Sequence, residues 1–205
     1  MAEFRPEKKE GGGNWLGFKQ GKILEVKDRS DEFDWADVYL QVDFEVEGSK
    51  YPRVMTIAGS YDRTDDGEDI VDCRLVKRLY WFLDTIRSGI HINLKGEFEK
   101  DNDETIVTDL PKYLMEGGIT GNGLISSESE YELYVYREPP KDNGKIYTRV
   151  YPRVSKRTPT ELTDFKSYIN YLLDKGFLKI YNGEEVVSNN SDSLSSMSQD
   201  GLDQL

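Results

Sequence analysis

Between residues 38 and 46 the chain alternates without a break. Val38, Leu40, Val42, Phe44 and Val46 are apolar, and Tyr39, Gln41, Asp43 and Glu45 stand between them. Side chains of a strand point to opposite faces with a period of two, so all five apolar residues leave on one side. A helix would spread the same residues around its axis. This segment is a strand with one buried face and one open face. Glu47-Gly48-Ser49 then makes a tight turn, and residues 50–58 read as the returning strand. Pro52 falls near its start, where a missing N–H costs no ladder bond. A lone hairpin is not stable in water, so other elements must cover the apolar face.

The neighbouring segments supply them. Residues 15–26 carry a strand signal in which Gly17 and Gly21 permit a bend. Val71, Leu75, Val76, Leu79, Phe82, Leu83 and Ile86 recur at helical spacing, with Arg87 and Gly89 as stop signals. Ile90, Ile92, Leu94 and Phe98 alternate again, residues 100–104 form a turn, and 105–110 read as a last short strand. Three strands, a helix and two strands is the connectivity of an OB-fold barrel. A split-sheet α+β arrangement has the same order of elements. The expected fold is mainly β with two helices, α+β in class: a five-stranded OB-fold-like barrel over 15–116, behind a flexible arm at 1–14. A β-hairpin plus helix extension is expected over 117–183. Its strands are 131–137 and 145–154, and Thr158, Pro159 and Glu161 open its helix as a capping box. Residues 184–205 hold five carboxylates and no cation among Ser and Asn, and read as a disordered acidic tail.

Within the extension, residues 145–157 stand out. If extended, one face presents Lys145, Tyr147, Arg149, Tyr151 and Arg153, and the other Ile146, Thr148, Val150, Pro152 and Val154. Lys156 and Arg157 lengthen the positive run. The whole chain has a net charge of −12, so this segment of +5 leaves −17 on the rest. Cations track a phosphate backbone and tyrosine rings stack on unpaired bases. A solvated strand face is the plain alternative. An isoelectric point near 4.7 argues against a general duplex binder, but a local groove can still take a single strand.

Cys73 is the single cysteine, so no intrachain disulfide forms. No apolar run reaches membrane-spanning length, and the first ten residues lack a secretory core, so a cytoplasmic protein is expected.

The barrel-like order of elements, the polar low-complexity stretch and the acidic tip with Asp200, Leu202, Asp203 and Leu205 together resemble bacterial and phage single-stranded DNA-binding proteins. The resemblance is architectural. It implies single-stranded DNA as ligand and a bacterial host cell if the chain is phage-encoded. It also implies that the tip recruits replication or recombination proteins and competes with DNA for the groove. The tip departs from that pattern in ending on leucine rather than an aromatic residue.

An OB barrel presents ligand across its second and third strands, which places Tyr39, Gln41, Tyr51 and Arg53 there. Asp43 and Glu45 oppose phosphate on the same face. Trp15, Lys19 and Lys22 on the first strand are further candidates, with edge packing the plainer role for Trp15. No catalytic group, metal site or cofactor is expected. One Cys and one His91 exclude the common zinc sites. Residues 62–67 begin like an EF-hand loop, but Cys73 stands where the bidentate Glu belongs. Glu97, Glu99 and Lys100 resemble a nuclease strand without a companion carboxylate. Two readings remain at this point: a non-enzymatic single-stranded DNA-binding protein of replication or recombination, without sequence preference, or a protein–protein interaction or virion structural module on the same barrel.

Overall fold

The computed structural model describes residues 15–116, 129–140 and 144–181. Three antiparallel strands open the fold: β1 (Gly17–Asp28), β2 (Val38–Val46) and β3 (Arg53–Gly59). The alternating residues of β2 behave as their pattern demands. Val38, Leu40, Val42, Phe44 and Val46 are all buried, three of them completely. Each such side chain contributes about 1.5–3 kcal/mol relative to exposure.

Helix α1 (Arg74–Thr85) follows and seats Leu75, Leu79, Phe82 and Leu83 in the same core. Strands β4 (Ile90–Ile92) and β5 (Phe98–Lys100) then pair only with each other, and α2 (Leu110–Glu116) leads on to β6 (Tyr131–Arg137). Strand β7 (Thr148–Val150), the short β8 (Ser155–Lys156) and α3 (Pro159–Asp174) complete the described chain. The main sheet runs β1-β2-β3-β7-β6, and β6 pairs back onto β1, so five strands close into a mixed barrel. Met55 of β3 faces Val150 of β7 in parallel, the other pairings being antiparallel. With three α-helices among the described residues the protein is α+β, and the closed five-stranded barrel is consistent with an OB-like fold.

The barrel's fourth and fifth strands are not the ones the periodicity at 90–110 suggests. The run from Ile90 to Phe98 is broken by Asn93, whose Oδ1 accepts the N–H groups of both Lys95 and Glu97. Gly96 completes that turn at φ +87°, where a Cβ would lie 2.8 Å from the Tyr61 ring. The segment 105–110 makes one bridge, Ile106 to Glu99, and then coils into α2. Asp109 Oδ1 accepts the Lys112 N–H and Pro111 sits in the first turn, an N-terminal signal that the strand reading passes over. The helix that the sequence does not reveal is therefore α2.

Barrel closure falls to β6 and β7, the hairpin expected in the extension. Its second strand is interrupted. Five steps from Val150 to Ser155 face three steps from Val135 to Glu132 on β6, so the strand bulges. Pro152 lies at the tip, with the Arg153 N–H bonded to the Tyr151 carbonyl at 2.7 Å. Proline in a sheet belongs at such a place. Val150 and Val154 on either side still reach the core, whereas Ile146 is exposed. Helix α3 packs Phe165, Ile169 and Leu172 on Tyr134, on the outer side of β6. Its capping differs from expectation. Thr158 Oγ1 bonds to Glu161 Oε2 at 2.8 Å and makes no side-chain bond to the backbone, while Pro159 stands in the first turn as expected. No described helix is long and apolar enough to cross a membrane.

Strand β1 changes partners at Gly21, which is paired with Val46 of β2 and with Tyr131 of β6. A Cβ there would stand 2.4 Å from Leu133 Cδ1 and 2.8 Å from the Glu45 carbonyl oxygen. The second of these is backbone and cannot swing away. Gly21→Val is expected to destabilise the fold by about 1–3 kcal/mol, the range for overpacked sites. Chemical denaturation followed by tyrosine and tryptophan fluorescence measures it, and an unchanged midpoint would show that the closure tolerates a side chain.

Candidate nucleic-acid interface

Because Met55 and Ile57 turn inward on β3, Thr56 and Ala58 turn outward. The same alternation sends Val150 in and Arg149 out on β7, and Val135 in and Tyr136 out on β6. These outward residues make the floor of a groove of about 930 Å³. Thr56 and Ala58 are small, which leaves the depth. Helix α1 forms one wall. Its core face holds the leucines, so Arg74, Arg78 and Trp81, spaced four and three residues apart, share the opposite side with Lys77. The other wall is α3 and the residues after it, with Tyr168, Leu172 and Phe177.

Four cations line the groove, Arg74, Lys77, Arg78 and Arg149, against two carboxylates, Asp72 and Glu138. Lys77 pairs with Asp72 at 3.0 Å, and Arg149 approaches Glu138 at 3.6 Å. Arg74 and Arg78 have no hydrogen-bond or ion-pair partner among the described residues. Arg78 is half-buried. Desolvation, and then the neighbouring Arg74, pull its pKa below the ordinary guanidinium value. The phenols of Tyr151, Tyr168 and Tyr136, which line the same groove, act on it in the opposite sense.

Rings join the two walls. Trp81 of α1 meets Tyr168 of α3 edge-on at 5.9 Å between centroids. The Arg153 guanidinium lies 4.7 Å from the Trp81 centroid and 4.5 Å from that of Tyr168. Tyr151 and Tyr168 share a hydroxyl contact of 3.3 Å. These contacts link α1 and α3 at one corner of the groove. Trp35 and Phe177, 58% and 72% exposed, line it elsewhere. Behind Trp35, Phe33 stacks on Tyr39 at 4.3 Å, and Arg29 lies over both rings while pairing with Glu32.

The residues expected to bind fall into distinct places. Tyr39, Arg149 and Tyr151 line the groove, and Arg153 stacks against Trp81 and Tyr168 of its two walls. Gln41 follows Tyr39 on β2 but is engaged, accepting from Arg29 Nη1 at 3.0 Å and donating to Asp43 at 2.9 Å. Tyr51 is exposed in the turn after β2, beside Lys50. Arg53 begins β3, at the end of that strand away from the groove. It stacks on Trp15 at 4.0 Å, with Arg137 at 5.5 Å from the same ring. Its Nε is buried without a hydrogen-bond partner among the described residues, and burial lowers its pKa. Trp15 is partly buried against the main core, the packing role. Lys19 and Lys22 lie on β1, which contributes nothing to the groove. Lys145 is exposed and Tyr147 lies under Arg149 at 5.3 Å. Lys156 is in β8, its pKa lowered by burial and by Arg87, and Arg157 pairs with Glu130 at 3.1 Å. Asp200, Leu202, Asp203 and Leu205 lie outside the described residues, as do the whole arm at 1–14 and the whole acidic tail at 184–205.

The sequence reading missed Arg74, Lys77, Arg78 and Trp81, and with them Trp35, Tyr136 and Tyr168. A signal for the first group exists. The apolar stripe of α1 defines its opposite face, and that face reads Arg-x-x-x-Arg-x-x-Trp. Tyr168 has no comparable signal, since only the fold brings α3 beside α1. No family model, no curated protein and no solved structure matches this chain.

The buried phenols make a measurable prediction. Burial, and then Glu138, push the Tyr136 pKa up to about 12; burial also raises Tyr151 and Tyr61. An unfolded tyrosine ionises near 10 (about). A raised folded pKa gives stability that is whole below the unfolded value and is lost as pH climbs toward the folded one. Stability should therefore be flat to about pH 9 and fall across about pH 10–12. Tyr136→Phe should reduce the slope in that window. Urea midpoints measured against pH decide the matter, and a slope unchanged in the variant would show that Tyr136 titrates like an exposed phenol.

Proposed function

We propose that this protein binds single-stranded DNA without sequence preference and serves replication or recombination without itself being an enzyme. What supports the reading is one observation: in a chain of net charge −12, cations outnumber acids two to one in a ring-lined groove on the outer face of the barrel. Two of those cations, Arg74 and Arg78, have no hydrogen-bond or ion-pair partner among the described residues. Guanidinium groups meet phosphates, and Trp35, Tyr39 and Phe177 offer faces or edges to bases that are not already stacked. Stacking accepts every base and phosphate contacts carry no sequence, so the binding is sequence-neutral. The acidic surface elsewhere repels duplex and lowers general affinity. In this reading the protein works in the cytoplasm, of a bacterial host if phage-encoded, and Asp200, Leu202, Asp203 and Leu205 serve partner proteins.

Fluorescence anisotropy with a labelled oligonucleotide across a salt titration is the test. Single strands of mixed sequence should bind more tightly than duplex of the same length, with affinity falling as salt rises. Arg74→Ala with Lys77→Ala should weaken binding and flatten the salt dependence by about 1.4 in slope, two phosphate contacts at about 0.7 each. Trp35→Ala should cost about 1–3 kcal/mol if its ring carries a base. Equal affinity for duplex and single strand, or a double variant that keeps the full salt slope, overturns the proposal.

A further inference from the structure

We infer that Arg153 is a positioning residue: held against Trp81 and Tyr168, it sets how far α3 stands from α1, and so the width of the groove, without itself meeting the ligand. This rests on the single-strand reading above and deepens it. Three observations carry it.

The first is how the two walls are seated. Leu75, Leu79, Phe82 and Leu83 fix α1 in the main core. Phe165, Ile169 and Leu172 fix α3 in a separate cluster on the outer side of β6. Among the described residues the two cores have no buried side chain in common. Neither core therefore dictates the gap between the helices. A groove with separately seated walls needs a contact that fixes their separation.

The second is the contact itself. Trp81 comes from α1 and Tyr168 from α3, and their rings meet at 5.9 Å with an interplanar angle of 68°. The Arg153 guanidinium lies 4.7 Å from one centroid and 4.5 Å from the other. A guanidinium is planar and weakly hydrated on its faces, so it packs into the notch that two tilted rings leave. A compact, strongly hydrated ammonium does not. The Tyr151–Tyr168 hydroxyl contact joins the same cluster to the floor.

The third is where Arg153 stands. Trp81 and Tyr168 both line the groove, as Arg74 and Arg78 do, whereas Arg153 does not. It belongs to the bulge that follows Val150, next to Pro152. Its own N–H is bonded to the Tyr151 carbonyl at 2.7 Å. The next residue, Val154, is buried, and its carbonyl accepts from Thr85 Oγ1 at the end of α1 at 3.4 Å. The bulge is thus tied to the core and to α1, which gives the Arg153 side chain a fixed base from which to hold α3. Re-aiming one side chain is what a bulge in a strand does.

The full chain is tested with a labelled single strand of mixed sequence, by anisotropy across a salt titration, at a temperature where circular dichroism shows each variant folded. Arg153→Ala should weaken binding about fivefold and keep the parent's salt slope, because no phosphate contact is lost. Arg153→Lys keeps the charge but not the plane, and should weaken binding nearly as much. A phosphate ligand behaves otherwise: the Ala variant would flatten the slope by about 0.7, and the Lys variant would restore affinity. A residue that only stabilises the fold would lower the melting temperature and leave the affinity of the folded chain alone. The spacing is read directly, without DNA, by pulsed electron paramagnetic resonance. Spin labels go on Asp84→Cys of α1 and Asn170→Cys of α3, both exposed and outside the groove, with the buried Cys73 left in place. The distance distribution should widen or shift in Arg153→Ala. Parent affinity in both variants, the phosphate pattern, or an unchanged distance overturns the positioning role and leaves single-strand binding standing. If the parent binds no strand, the single-strand reading falls, and the label distances alone carry or overturn Arg153 as the spacer of the two walls.

Discussion

The parallel pairing of Met55 with Val150 is the joint on which the structure turns. Both residues are buried, and their contact converts an open sheet into a closed barrel. It also decides what stands beside what outside. Strand alternation sends Thr56 and Arg149 outward from either side of that joint, so core closure and groove floor are two faces of one register. A slip of one residue would bury Arg149 and expose Val150. The same joint draws β6 against β1, and β1 can bend between its two partners because Gly21 has no side chain to obstruct Glu45 and Leu133.

How far the sequence reveals this depends on whether a feature is local. The strand at 38–46 is readable because five apolar residues admit one periodicity. The helix at 74–85 is readable for the same reason. The barrel and its five strands are foreseen, but the identity of the last two is not. Ile90, Ile92 and Leu94 alternate as well as any barrel strand, and the turn that interrupts them depends on the Asn93 side chain reaching two backbone amides. The ribbon at 145–157 is foreseen as one line of cations and rings. In the fold Arg149, Tyr151 and Arg153 gather at the groove, while the bulge at Pro152 turns Lys156 and Arg157 toward Arg87 and Glu130. The groove's best cations come from α1, where the apolar stripe drew attention away from the opposite face.

Arginine serves in this protein in two ways that composition does not separate. Arg53, between Trp15 and its own strand, and Arg153, between Trp81 and Tyr168, act as flat apolar-faced spacers against rings. A guanidinium is weakly hydrated across its faces, which makes this arrangement favourable. Among the described residues, Arg74 and Arg78 stack on no ring and make no hydrogen bond or ion pair. The distinction matters for any account of charge. Counting all of them as phosphate ligands would overstate the field in the groove, and replacing Arg153 would disturb the contact between two helices as well as a charge.

The late position of β7 has a consequence for how the chain acquires its shape. Strands β1, β2 and β3 are complete by residue 59, but the strand that closes them begins at Thr148. Without the later strands, the β1–β3 sheet would leave both outer edges unpaired, and open edges invite pairing with other chains. Contacts so distant along the sequence also make for slow folding. Charge on the nascent piece offsets this hazard. Between β1 and β2 the chain carries Asp31, Glu32, Asp34 and Asp37, Asp28 ends β1, and β2 itself adds Asp43 and Glu45. Like charges of this density disfavour pairing of that open edge with another copy. The acidity that looks ill-suited to a phosphate ligand thus works against misassembly of a sheet that closes late.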